Sequence, residues 1–177
     1  MCCTKSKYSH TAIVIRDPTF TNPPLKGLYV LESSSERFRD VEDNKYKFGV
    51  ELEEFDKVIN DARQHETVYW RKLNCIRDNQ FYEKLAEIHK NIHDKKYDLF
   101  PSDWIDAGLH RYKGDNKNRM SNFICSALVA YVYVKLGFLP EGTPWTLVYP
   151  KMLGTEKGNR YGLKFINCTL DKEVKIV

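Results

Sequence analysis

No stretch of this sequence stays apolar long enough to cross a membrane. The longest run, Ile124 to Leu139, is broken by Lys135 and falls short of the roughly 20 residues a span needs. The first ten residues, MCCTKSKYSH, hold no apolar h-region, so no secretory signal is expected. Cysteines are present but do not pair by spacing. Cys2, Cys3, Cys75, Cys125 and Cys168 make an odd set of five without a CxxC, which excludes a disulfide framework and the usual zinc spacings. A reduced, intracellular and cytoplasmic protein is expected. Charge of one sign is also missing: the net +4 is scattered along the chain, and without a basic stripe a nucleic-acid partner is not expected. There is no internal repeat and no low-complexity linker.

The 177 residues, 42% apolar and 13% aromatic, suffice for one domain with a substantial core. TAIVI at 11–15 is a β-branched run closed by the turn-rich RDPTFTNPP, and LYVLES at 28–33 reads as a second strand. SSSERFRDVEDNKY is polar and loop-like. FGVELEEF then suggests a strand running into a helix near EEFDKVINDARQ, and TVYWRKLN at 67–74 a further strand. Phe81, Leu85, Ile88 and Ile92 recur every three or four residues, which predicts an amphipathic helix from Asn79 to about His93. A segment without clear period follows, then a helix through ICSALVAYVYVKLG with Gly137 as its C-cap. The tail TPWTLVYPKML, GLKFINC and EVKIV reads as short strands and turns.

Chemistry centres on Cys125. Ser121 or Asn122 can cap the helix that follows, placing Cys125 in its first turn, where free amides and the dipole favour an anion and lower a thiol's pKa. Free cysteine is also among the most buried residue types, and Phe123, Ile124, Ala127, Leu128 and Tyr131 make core, so on the helix alone packing is the stronger reading. A reactive thiol needs a histidine and a group to orient it. His10 begins the first strand and Glu32 ends the second. If the two pair antiparallel with Arg16 opposite Leu28, Glu32 faces Ala12 and has His10 as its diagonal neighbour, about 7–8 Å away. A slip of one residue would turn Glu32 to the other face. Cysteine, histidine and acid together supply every part of a triad, which geometry and roles define rather than order in the chain.

YSHTAIVIRDP with GLYVLESS, and downstream FICSALVAYVYVKLGFL followed by WTLVYPKML, resembles the circularly permuted papain-like, NlpC-related hydrolases, in the YiiX-like branch with poxvirus and giant-virus members. The resemblance implies an α+β fold, a small antiparallel sheet or half-barrel packed on the helix bearing the cysteine. It implies Cys125 as nucleophile, His10 as general base and Glu32 as the orienting group. It further implies acyl transfer or hydrolysis on amide or ester bonds of a peptide, protein, ubiquitin-like or lipid-linked substrate, without a cofactor. Virion association is expected if the chain is viral. Family members carry a strand with a Gly-Asp turn ahead of the histidine strand. Here only nine residues precede His10, so a single domain over 1–177 lacking that strand, with a more open site, is expected. The competing expectation is a binding module for lipid or acylated peptide on the same scaffold, with peripheral lipid contact and no turnover.

Other residues rank lower. Trp145, Tyr149 and Pro150 are candidates to line a substrate pocket, although tail aromatics more often serve the core. His89 and His93 are an i, i+4 pair as two metal ligands would be, but no acidic partner or cysteine pair is read as accompanying them, so a solvated helix face is expected and no metal. The basic RYKGDNKNR, just ahead of the cysteine helix, reads as a solvated loop or a lid. Cys75 and Cys168 read as packing residues and Cys2 and Cys3 as unconstrained.

Overall fold

The computed structural model describes residues 6–97, 122–155 and 162–177. The RYKGDNKNR segment, Ser121, Cys2 and Cys3 lie outside them. An α+β architecture is present. Strands β1 (Ile13–Arg16), β2 (Leu28–Arg39) and β3 (Tyr46–Glu54) form an antiparallel meander, and helix α1 (Phe55–His65) follows β3 directly. β4 (Tyr69–Trp70) and β5 (Leu73–Asn74) precede helix α2 (Asn79–Ile92). β6 (Lys96–Tyr97) and β7 (Asn122–Phe123) complete a sheet of order β1-β2-β3-β6-β7, and β7 leads into helix α3 (Cys125–Lys135). A 3-10 turn at Trp145–Leu147, the short helix α4 (Pro150–Leu153), β8 (Thr169–Leu170) and β9 (Val174–Lys175) finish the chain.

The first hairpin has the register that the β-branched run and its turn imply. Arg16 stands opposite Leu28 and Ile13 opposite Leu31. Ile13, Ile15, Leu31, Val50 and Leu52 consequently share one face and join the core with Ile88 and Ile92 of α2 and the whole buried length of α3. Helix α3 is buried from Cys125 to Tyr133, as an all-round apolar helix must be. Its end forms a Schellman motif: Gly137, at φ 76°, donates to the Val134 carbonyl and Phe138 to that of Tyr133. The α2 start is capped by Asp78, whose side chain accepts from the Phe81 amide.

Three expectations change. The polar SSSERFR does not loop out; it continues β2 to Arg39, pairing with β3 through a register shift between Ser35 and Arg39. Asp40 makes this possible. Its buried carboxylate accepts from the Glu42 and Leu52 amides and from Lys47, so the turn at 40–45 is closed by a side chain. TVYWRKLN is not one strand: β4 pairs with β9 and β5 with β8, because Arg71 between them donates to the Leu153, Leu170 and Asp171 carbonyls of the tail. The tail itself is more helical than expected around Trp145 and Lys151, and GLKFINC is irregular.

A flat sheet of five strands would hold β1 and β7 about 19 Å apart. Cys125 is two residues past β7 and His10 three before β1, yet their side chains meet, so the sheet curls. Gly49 lets β6 close on β3. At φ 153° its position would put a Cβ 2.1 Å from the Lys95 carbonyl oxygen, a contact that only glycine avoids. Among the described residues no helix is long and apolar enough to cross a membrane.

Candidate active site

Cys125 is the first residue of α3 and is 6% exposed. The expected cap is absent. Ile124 occupies the N-cap position in extended conformation, and Asn122 belongs to β7, so no side chain closes the helix start. The cysteine sulfur takes that place: it accepts backbone hydrogen bonds from Thr11 and Ser126. Ser126, fully buried, turns its hydroxyl away and donates to the Val148 carbonyl at 2.6 Å. The amide of Cys125 itself, at the first helical position, has no acceptor inside the helix.

His10 joins the thiol to Glu32. Its Nε2 lies 2.5 Å from Glu32 Oε2, which leaves the other ring nitrogen to bond Cys125. Burial pushes the imidazolium toward losing its proton, but the bonds and charges of Cys125 and Glu32 outweigh it and raise the His10 pKa from 6.5 to about 10. Burial would raise the Cys125 thiol; the His10 hydrogen bond and charge, then the Thr11 and Ser126 amides, carry it below its ordinary value instead. Each partner thus favours the charged form of the other, thiolate beside imidazolium. The His10 side chain is still 40% exposed.

Behind Glu32 stands a feature that alternation along the strand does not announce. Glu32 pairs across the sheet with Glu51, and Glu53 lies two residues farther on the same face. All three are buried, and their carboxylate oxygens lie within 4.8 Å of one another. Three anions cannot share such a space. Burial, the hydrogen bond to Glu32 and the charges of Glu32 and Glu51 push Glu53 well above the carboxylate range, so it keeps its proton and donates to Glu32. A backbone hydrogen bond from Phe38 favours the ionised form and is outweighed. Burial likewise raises Glu51 to about 7, against the Ser34 hydroxyl that donates to it at 2.5 Å. Burial would also raise Glu32, yet the His10 bond and charge, the Glu53 donor and the Arg37 charge hold it below the ordinary range. The line from sulfur inward thus runs Cys125, His10, Glu32 and Glu53, with the proton of the inner acid pair on Glu53. Among the described residues, those three carboxylates are also one of two clusters with the donor types to hold a cation.

Of the aromatic candidates, Trp145 is 4% exposed and packs edge-on against Tyr131, which makes it a core residue. Tyr149 and Pro150 are half-buried beside Val148, whose carbonyl Ser126 engages, and so lie near the helix start. The expectation for His89 and His93 is overturned. His89 is buried rather than solvated, and Glu42, from the turn after β2, stands 2.8 Å from its Nε2. An open depression of about 400 Å³ between Lys47, Gly49, Asp94 and Lys96 lies on the β3–β6 side and does not include Cys125.

No family model, no curated protein and no solved structure matches this chain.

Proposed function

We propose that the chain is a cysteine-dependent hydrolase or acyltransferase on amide or ester bonds, built as a permuted papain-like domain, with Cys125 as nucleophile, His10 as acid and base, and Glu32 as the group that orients His10. One observation carries this reading: a thiol at the first residue of a helix, bonded to a histidine whose other nitrogen is held by a buried carboxylate. A packing cysteine needs neither partner.

In the first half-reaction the Cys125 sulfur adds to the substrate carbonyl carbon, and the carbonyl π pair moves to oxygen. The Cys125 amide and the positive end of α3 stabilise that oxyanion. Collapse expels the amine or alcohol, which takes its proton from the His10 imidazolium, leaving a thioester. Neutral His10 then removes a proton from water or an acceptor amine as it attacks the thioester. Sulfur leaves as thiolate beside a restored imidazolium. Glu32 keeps the ring in place throughout and offsets its charge. Peptide, protein, ubiquitin-like and lipid-linked acyl groups all present the required carbonyl.

Brief exposure to substoichiometric iodoacetamide at neutral pH, followed by intact-mass and peptide mapping, tests the reading. Alkylation should fall preferentially on Cys125 and lose that preference in His10→Ala. Labelling confined to other cysteines, or indifferent to His10, would return Cys125 to a packing role.

A further inference from the structure

The turn after β2 and the C-terminal end of α2 bring together a second histidine cluster unrelated to the thiol. His89 and His93, one helical turn apart, both direct Nε2 at Glu42 Oε2, at 2.8 and 3.5 Å. One donor atom from each residue lies within 4.8 Å of the other two. A tetrahedral ion bound at 2.0–2.2 Å would space its ligands about 3.3 Å apart, so the observed separations need only small adjustments.

Hydrogen bonding around the cluster is incomplete without a further positive centre. Asp94 Oδ2 is 3.0 Å from His93 Nδ1 and accepts from it, and Asp94 is itself fixed by Lys47 at 2.7 Å. With its proton on Nδ1, His93 turns Nε2 toward Glu42 across 3.5 Å, a gap that a second proton or a metal ion on that nitrogen would bridge. His89 can place one N–H against the same oxygen, which still leaves the His93 nitrogen without a donor. A carboxylate behind one nitrogen with the other bare is the arrangement that orients imidazole toward a metal. The second ring is steadied by Phe20, stacked on His89 at 4.2 Å between centroids. Charge favours a cation as well: Asp40, Glu42, Asp43 and Asp94 surround the site against Lys45 and Lys47, and His93 caps the negative end of α2.

We propose that Glu42, His89 and His93 bind a divalent transition-metal ion, Zn²⁺ foremost, through three protein ligands, with a fourth position open to water. Two imidazoles and a carboxylate suit zinc better than Mg²⁺ or Ca²⁺, which take oxygen donors. The ion clamps the β2–β3 turn to the end of α2, a junction otherwise closed by side-chain hydrogen bonds.

The test uses the full chain carrying Cys125→Ala, so that the active-site thiol cannot bind metal, after treatment with chelator. Co²⁺ titration followed by absorption should give one saturable equivalent with visible d–d bands and without the near-ultraviolet charge-transfer band of a thiolate ligand. Zn²⁺ should displace it and raise Tm. His93→Ala and Glu42→Gln should each weaken Zn²⁺ at least 100-fold, and Asp94→Asn about tenfold, the range found for partners behind a ligand. Folding of each variant is checked by circular dichroism. His93→Ala is partly exposed, and Glu42→Gln keeps the side-chain shape, so one of the two reports even if the other fails to fold. Absence of saturable Co²⁺ binding, binding that survives both variants, or a charge-transfer band on the bound equivalent would each overturn the proposal; the cluster would then be held by protons alone.

Discussion

His10–Glu32 at 2.5 Å and His89–Glu42 at 2.8 Å are histidine–carboxylate pairs of nearly equal separation, and their surroundings give them different chemistry. His10 has a thiol at its other nitrogen and a helix N-terminus behind that thiol. Its proton is retained to about pH 10 because a thiolate and a carboxylate both attract it. His89 has a second histidine beside it, at 5.2 Å between ring centres, and a helix C-terminus nearby. A positive helix end collects an anion; a negative end with two imidazoles collects a cation. What differs is not the pair but the third group and the polarity of the helix that supplies it.

The sharpest way to break the first site is at sulfur. Cys125→Ala should lower turnover of any amide or ester substrate by at least about 10³-fold, since no other group can form the thioester. Its Tm should stay within a few degrees of wild type, because one buried sulfur leaves little volume unfilled. A loss of tens of degrees would assign Cys125 to packing. The same change should leave Zn²⁺ affinity at the second cluster untouched.

Removing His10 gives a smaller, graded effect. Without its partner the thiol should titrate near 8.5, where only about 3% is thiolate at pH 7, so His10→Ala should slow Cys125 alkylation by about 10- to 30-fold. The shapes of the pH profiles matter more than the ratio. Wild-type labelling should level off at a lower pH than the variant's, because the His10 bond and charge lower the Cys125 pKa. The His10→Ala rate should climb through pH 8–9. Turnover, unlike labelling, should fall again as pH rises through about 10, where the imidazolium loses the proton it must give to the leaving group.

Sequence patterning reached the outer members of this site and missed the inner ones, for a physical reason. Arg16 and Leu28 bracket a short turn-rich loop, which fixes the register and hence the diagonal from Glu32 to His10. Glu51 and Glu53 alternate with Val50 and Leu52, a pattern that ordinarily means one wet face. Here both faces of β3 are covered, and the acids are kept inside by a shared proton. Glu42 was out of reach for another reason. It is separated from His89 by 47 residues and sits in a polar stretch whose structure depends on Asp40 accepting a β3 amide, a long-range contact without a local signature. The helix start misled in the same way: tertiary pairing of Asn122 in β7 removed the expected cap and left the sulfur to bond the free amides.

The inner acid provides a stability test that separates the two pairs. A carboxyl whose folded pKa is raised binds a proton that the unfolded chain gives up above about 4.5, so its contribution weakens as pH climbs from there toward about 9. Glu53→Gln keeps a neutral donor facing Glu32 and removes that dependence. The variant should melt higher than wild type at pH 8, by the 2–4 °C that about 1 kcal/mol represents in a chain of this size, and much less so at pH 5. Equal Tm at pH 8 would mean that Glu53 is ionised and that a cation or another donor balances the three carboxylates.

The smallest expected effect is the one that tests independence. His93→Ala and Asp94→Asn alter the second cluster, which is joined to the first through β2 and β3 and through the packing of α2 on α3, without a shared side-chain partner. Residues without shared partners contribute additively to within a few tenths of a kcal/mol. Alkylation of Cys125 in either variant should therefore match wild type within about twofold, with or without Zn²⁺, while Zn²⁺-dependent stabilisation disappears in His93→Ala. A Zn²⁺-dependent change in Cys125 reactivity that vanishes in His93→Ala would show that the turn and the thiol communicate along the hairpin. Glu51, raised to about 7 and partnered with Glu32 across the strands, would be the first residue to alter in tracing that path.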